Sequence, residues 1–132
     1  ESKAGGGAEW RRLQSLVMQL RKVVNHPYLL PGADPDPEQT TEDLVQASAK
    51  LRLLDRLLPR LKAGGHRVVI FSGFKGVLDL LEDYCGLRRH KYLRLDGSTN
   101  RVQRAINMAQ FQREGSKYFV FMMTTRAGGL GI

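Results

Sequence analysis

The chain has 132 residues, 42% of them hydrophobic and 26% charged, which suits one globular domain and is too short for two full ones. Its 21 Lys and Arg against 13 Asp and Glu leave a net charge of +8, a surface that favours a polyanionic partner. The lone Cys85 excludes an internal disulfide framework, no apolar run reaches the about 18 residues of a membrane span, and His26, His66 and His90 lack metal-ligand spacing.

From Trp10 to about Val24 apolar residues recur at Leu13, Leu16, Val17, Leu20, Val23 and Val24, one face of a helix, with Arg11, Arg12, Arg21 and Lys22 off it. Pro27 ends this helix, because the residue before a proline avoids helical dihedrals. Tyr28, Leu29 and Leu30 then anchor the outgoing chain. Between Ala33 and Asp43 stand five acids and no base, and from Pro31 to about Glu42 the stretch reads as a solvated linker or surface loop. The chain therefore divides into a helix and acidic linker over 1–47 and a lobe over 48–132.

Ser48 is placed to cap a second helix striped by Leu51, Leu54, Leu58 and Leu61, with Leu53 and Leu57 widening the face and Gly64 and Gly65 closing it. Beyond it the pattern alternates. Arg67 to Phe71 is a short β-branched strand, and Val77, Leu78, Leu80, Leu81 and Tyr84 stripe a helix in which Cys85 is a small apolar filler. Lys91 to Leu95 is a second strand, ended by Asp96-Gly97. Val102, Ile106, Met108 and Phe111 mark a third helix, capped by Thr99 or Asn100. Tyr118 to Met123 is a third strand, and Thr124 to Gly131 a Gly-rich turn.

Strands and helices alternating on short links predict right-handed βαβ units, an α/β fold with a parallel sheet flanked by helices. Ligands of such sheets gather at the carboxyl ends of the strands. Here those ends are Ser72-Gly73, Asp96 to Thr99 and Thr124 to Gly129, small and polar segments that suit phosphate contact. The chain stops at Ile132, where the next helix would begin, so a fragment of a larger unit is expected.

The stretches Met18 to Leu30, Val69 to Ser72, Leu78 to Tyr84, Arg94 to Gly97, Phe119 to Met122 and Thr125 to Ile132 resemble, in this order, the second RecA-like lobe of Snf2-type ATPases. Within that group the likeness is to the imitation-switch (ISWI) chromatin remodellers, with the chain cut after helicase motif V. The resemblance implies an ATP-driven DNA translocase acting on nucleosomes in the nucleus. Its partners would be double-stranded DNA, histones and the first lobe of the same parent chain, with no membrane. It implies DNA contacts from Ser72, Gly73, Lys75, Arg94, Gly97, Ser98, Arg104, Thr124, Thr125 and Arg126. The nucleotide side of the interlobe cleft falls on Gly128, Gly129 and Gly131. Asp79, Glu82 and Asp83 read either as a solvated helix face or as an acidic surface for a basic histone tail. Arg104 and Arg126 read equally as braces of their own elements.

Two departures from the family pattern stand out. After Phe-Ser the family carries Gln, a hydrophobic residue, Thr and Arg, where this chain has Gly73, Phe74, Lys75 and Gly76; before Arg104 an acidic pair is replaced by Val102-Gln103. There is no Gly-Lys-Ser/Thr phosphate loop and no Asp-Glu-x-His motif, which belong to the first lobe. ATP and Mg²⁺ are thus expected in the parent enzyme, bound mainly by that lobe, with no metal site, no catalytic residue and no hydrolysis here. Two other readings stay open: a non-catalytic DNA- or histone-binding module, and a nucleotide-binding enzyme using the Ala127 to Gly131 turn.

Overall fold

The computed structural model describes residues 7–16, 25–30, 32–36 and 38–128; Val17, Leu20, Val23 and Val24 of the first stripe, with Arg21 and Lys22 beside it, lie outside them, as do Gly129 and Gly131. Residues 7–16 form helix α1, along which Trp10, Leu13 and Leu16 are exposed. Helix is over by His26, and a short 3-10 turn follows at Pro27–Leu29. The buried His26 ring pins this turn to the next element: Nδ1 accepts from the Tyr28 N–H at 3.0 Å, and Nε2 donates to the Leu44 carbonyl at 2.7 Å.

Leu44 belongs to helix α2, Asp43–Gln46, where Leu44 and Val45 are buried. Four residues carry no readable periodicity, so the acidic stretch gives no sign that its end folds back into the core. Helix α3, Ala49–Ala63, starts as expected: the Ser48 hydroxyl accepts from the Leu51 N–H at 3.2 Å, and Gly64 closes the helix ahead of Gly65 at φ 76°. Leu51 and Leu58 are buried, but Leu53 is 67% exposed and Leu57 is exposed as well. They do not widen the packed face. Each residue turns the helix by about 100°, which sets Leu53 and Leu57 well round from the Leu51–Leu58 line.

Strand β1, Val68–Ser72, helix α4, Lys75–Arg88, strand β2, Tyr92–Leu95, helix α5, Arg101–Gln112, strand β3, Val120–Thr124, and the short helix α6, Thr125–Gly128, complete the chain order. The sheet runs β1-β3-β2, all parallel, with Val68 opposite Val120 and Tyr92 opposite Val120 from the other side. Central β3 is buried throughout, as its unbroken Val-Phe-Met-Met run requires. One face packs Val120 and Met122 against Leu58, Leu78, Leu81 and Tyr84; the other packs Phe121 and Met123 with Leu95 and Phe111. Cys85 fills a gap in the first cluster, and burial pushes its thiol up to about 12.

Helix α5 sits differently from the expected stripe. Val102 and Ile106 are exposed, while Asn107 and Phe111 are buried. Asn107 Nδ2 donates to the Arg94 carbonyl at 3.4 Å and its Oδ1 accepts from Gln103 at 2.7 Å, so a polar anchor sets the helix rotation. The cap is Asn100, whose side chain accepts from the Gln103 N–H at 2.8 Å; the Thr99 hydroxyl accepts from the Asp96 N–H instead. On the opposite layer Arg88 joins three elements, donating to Glu42 and, at 2.8 Å, to Asp55, which also accepts from the Tyr84 hydroxyl at 2.7 Å. These bonds hold the Asp55 carboxyl below its usual range, the Arg88 guanidinium contributing most.

His90 gives this layer an acid-sensitive point. Its ring is buried edge-on against Phe119, Lys62 Nζ lies 3.4 Å from Nδ1, and Nε2 has no hydrogen-bond partner. Burial, reinforced by Lys62, holds its pKa below 6.5. Protonation is therefore easier in the unfolded chain, and the neutral ring's contribution, complete above the unfolded pKa, is lost as pH falls below it. We expect the thermal midpoint to drop between pH 7 and pH 5 and His90→Gln to flatten that slope; a wild-type profile identical to the variant's would refute the assignment.

Candidate nucleic-acid interface

The register fixes what meets at the carboxyl edge of the sheet. Ser72 is opposite Thr124, and Leu95 opposite Met123, so Asp96 emerges beside the end of β3. The three strand ends lie side by side; Ser72-Gly73, Asp96 to Thr99 and Thr124-Thr125 contain no large apolar residue, and Phe71, just before them on β1, is 53% exposed.

Each end is shaped by a short polar side chain. Ser72 Oγ accepts from the Phe74 N–H and donates to the Phe74 carbonyl, both at 3.1 Å, folding the chain sharply into α4. At Gly76, in the first turn of α4, a Cβ would stand 3.0 Å from Leu29, whereas a Cβ at Gly73 would meet nothing within 4 Å. The buried Asp96 organises the second loop, accepting from the Ser98 N–H at 2.8 Å and from the Ser98 hydroxyl. Those bonds, the Ser98 hydroxyl first, hold the Asp96 carboxyl below the usual carboxylate range. Thr124 is buried, and its Oγ1 accepts from the Ala127 N–H at 3.2 Å, which starts α6.

Helices α4, α5 and α6 all begin at this edge, and none carries an acid in its first turn. In the two longer helices, α4 and α5, no carboxylate of the first turn compensates the positive dipole end. Beside each stands a cation: Lys75 opens α4, Arg104 lies in the first turns of α5, and Arg126 lies in α6. None of the ion pairs among the described residues uses these three. Lys75, Gly73, Gly97, Ser98, Thr125 and Arg126 are exposed, and Arg104 is half-buried.

Arg94 stands apart. Its side chain is only 14% exposed, and its guanidinium reaches Asp79 at 2.6 Å, Glu82 at 3.1 Å and Asp96 at 3.1 Å. It ties α4 to the Asp96 loop. Asp79 and Glu82 thus share one cation, while Asp83 is exposed on the same helix. Gly128 is glycine for a packing reason: a Cβ there would lie 2.6 Å from the Phe71 ring and 3.0 Å from Met123 Sδ. Local sequence does not mark the supporting roles of Asn107 and of the carboxylates around Arg94, beyond an asparagine four residues ahead of Phe111.

Comparison with known proteins yields concordant matches. The helicase conserved C-terminal domain family matches residues 49–132. The probable ATP-dependent DNA helicase CHR23 of Arabidopsis thaliana is 52% identical over 127 residues, 96% of this chain and 12% of that protein. The ISWI chromatin-remodeling complex ATPase ISW1 of Saccharomyces cerevisiae is 52% identical over 92% of this chain and 11% of its own length. This chain thus spans about an eighth of these relatives. Among solved structures, the C-terminal part of the Fun30 ATPase domain aligns with TM-score 0.63 and 32% identity over 71% of this chain and 30% of that one. The Sulfolobus solfataricus SWI2/SNF2 ATPase C-terminal domain aligns with TM-score 0.75 over 91% of this chain and 49% of that one; at 21% identity it attests the fold.

Proposed function

The chain belongs to the helicase conserved C-terminal domain family, and from that premise we propose that it is the second RecA-like lobe of an ATP-dependent, chromatin-remodelling DNA translocase, holding duplex DNA by its backbone at the carboxyl edge of the sheet. One observation carries the reading: three helices start at that edge without an acid in the first turn, each beside a cation outside any ion pair of the described residues. Backbone amides and small hydroxyls approach a phosphate closely and read no base, so binding is sequence-tolerant and each grip is weak enough to release during stepping. In this reading Lys75, Arg104 and Arg126 supply the charge, while Gly73, Gly97, Ser98 and Thr125 supply close approach. Ser72, Thr124 and Arg94 act mainly by holding the three loops in shape.

The likeness to an ATP-dependent DNA helicase and to a chromatin-remodeling ATPase supports ATP as the fuel, the nucleus as the setting and nucleosomal DNA as the track. Of the glycines assigned to the nucleotide side, Gly128 gives its space to Phe71 and Met123, and Gly129 and Gly131 lie outside the described residues. The nucleotide and its metal would fall chiefly to the other lobe. Asp83, with Asp79 and Glu82, is the surface we assign to a basic histone tail. Because Asp79 and Glu82 also hold Arg94, reversal of Asp83 alone is the cleaner probe of that contact.

The test is a triple substitution, Lys75→Ala, Arg104→Ala, Arg126→Ala. Duplex affinity should fall roughly tenfold or more, equally for unrelated sequences, and the slope of log K against log salt should flatten by about 2–3. Unchanged affinity and slope in a normally folded variant would overturn the assignment.

A further inference from the structure

The opposite edge of the sheet, where the strands begin, is also strongly basic. Arg67 leads into β1, Arg89 and Lys91 into β2, and Arg113 and Lys117 into β3, with Lys62 in the last turn of α3 beside them. Backbone bonds draw these connections together: the Val68 N–H donates to the Phe119 carbonyl at 2.9 Å, and the Phe119 N–H donates to the Lys91 carbonyl at 2.8 Å. Side chains do the same, Arg67 Nη1 reaching the Phe111 carbonyl at 2.6 Å and Lys62 Nζ lying 5.6 Å from the Phe119 ring centre. The six cations face a single carboxylate in these segments, Glu114, and none of them joins an ion pair among the described residues.

Helix dipoles do not account for this excess. A cation at a helix carboxyl end stabilises it, but the effect fades beyond the last turn. Arg67 donates to the last turn of α5, but Lys91 and Lys117 lie beyond the caps, on the lead-ins to the strands. The patch also lacks what a peptide partner needs, since every exposed large apolar side chain of the described residues lies outside these three connections. Cations on a braced frame, without apolar anchors, fit a sugar–phosphate backbone.

We propose that this amino-terminal edge is a second contact surface for duplex DNA, holding a segment distinct from the one at the carboxyl edge. The two edges are separated by the length of the strands, about 15 Å, so one lobe touches two duplex segments at once.

The chain is mixed with two short duplexes, one labelled with an energy-transfer donor and the other with an acceptor, at low salt and with duplex in excess. Transfer between them is expected for the wild type. The variant Lys91→Glu, Arg113→Glu, Lys117→Glu should lose it about tenfold or more while one-duplex affinity stays within about threefold. All three side chains are exposed, and the matching alanine set keeps the test available if the glutamate set fails to fold. Transfer by the folded variants equal to the wild type's overturns the proposal, as does wild-type transfer no higher than with free duplexes. Displacement by polyglutamate at a lower charge concentration than by unlabelled duplex overturns it in favour of an acidic protein partner. The carboxyl-edge variant is scored separately by one-duplex affinity, so failure of either surface is read without the other.

Discussion

Replacing Leu78 with alanine is expected to lower the unfolding free energy by about 3–5 kcal/mol. Leu78 is fully buried on α4, in the cluster that includes Leu58, Leu81, Tyr84, Val120 and Met122. Its loss removes apolar burial and leaves a cavity that the surrounding helices and central strand cannot collapse into. Domains of this kind have about 5–15 kcal/mol in total, so the variant should lose a large share of its stability. Leu57→Ala, on the exposed side of α3, should change stability by less than about 0.5 kcal/mol. Urea unfolding with an unchanged slope checks both. A Leu78 effect below about 1 kcal/mol would mean that α4 is not seated on the sheet as described.

Removing the Asp96 carboxylate should weaken duplex binding even though it deletes a negative charge next to the proposed phosphate track. Asp96 holds the Ser98 N–H at 2.8 Å and the Arg94 Nε at 3.1 Å, and it is buried. Asp96→Ala leaves these donors without their acceptor and frees the loop that aligns β2 with β3, at a cost of about 2–3 kcal/mol in stability. Pure electrostatics predicts the opposite sign for binding, which makes the measurement decisive. Asp96→Asn keeps an acceptor for the Ser98 N–H and should restore most of the affinity. Tighter duplex binding by Asp96→Ala would show that charge, and not loop shape, governs this edge. The stability gap has its own pH signature. The carboxyl is held below 3.8 in the fold, so its contribution is complete above the unfolded pKa and disappears as pH falls through the folded one. The wild type and Asp96→Ala should therefore converge in thermal midpoint as pH falls below the usual carboxylate range.

The order of elements was readable because local chemistry decides it. Ser48, Gly64 and Gly65 punctuate α3, Pro27 ends the helix before it, and the Val-Phe-Met-Met run can only be a strand buried on both faces. Small polar residues at three strand ends marked the candidate edge, since tight turns and close backbone approach demand them. Rotation and partnership were another matter. Leu53, Leu57, Val102 and Ile106 carry the same hydropathy as their buried neighbours, yet they face solvent, because a helix offers the sheet one side and the sheet's shape selects it. Asn107 won that choice on α5 through a bond to the Arg94 backbone, 13 residues earlier.

Arg94 shows the same boundary at the site. As a sequence it is a cation before a turn, suited to a phosphate; in the fold Asp79 and Glu82, 15 and 12 residues away, reach it from α4. The amino-acid sequence by itself determined the elements, their parallel βαβ order and the basic character of the chain, because caps, turn residues and hydrophobic periods act over a few neighbours. Only the tertiary structure decided which cations stay open and which are spent on internal carboxylates, because strand register and helix rotation bring together side chains that no local pattern links.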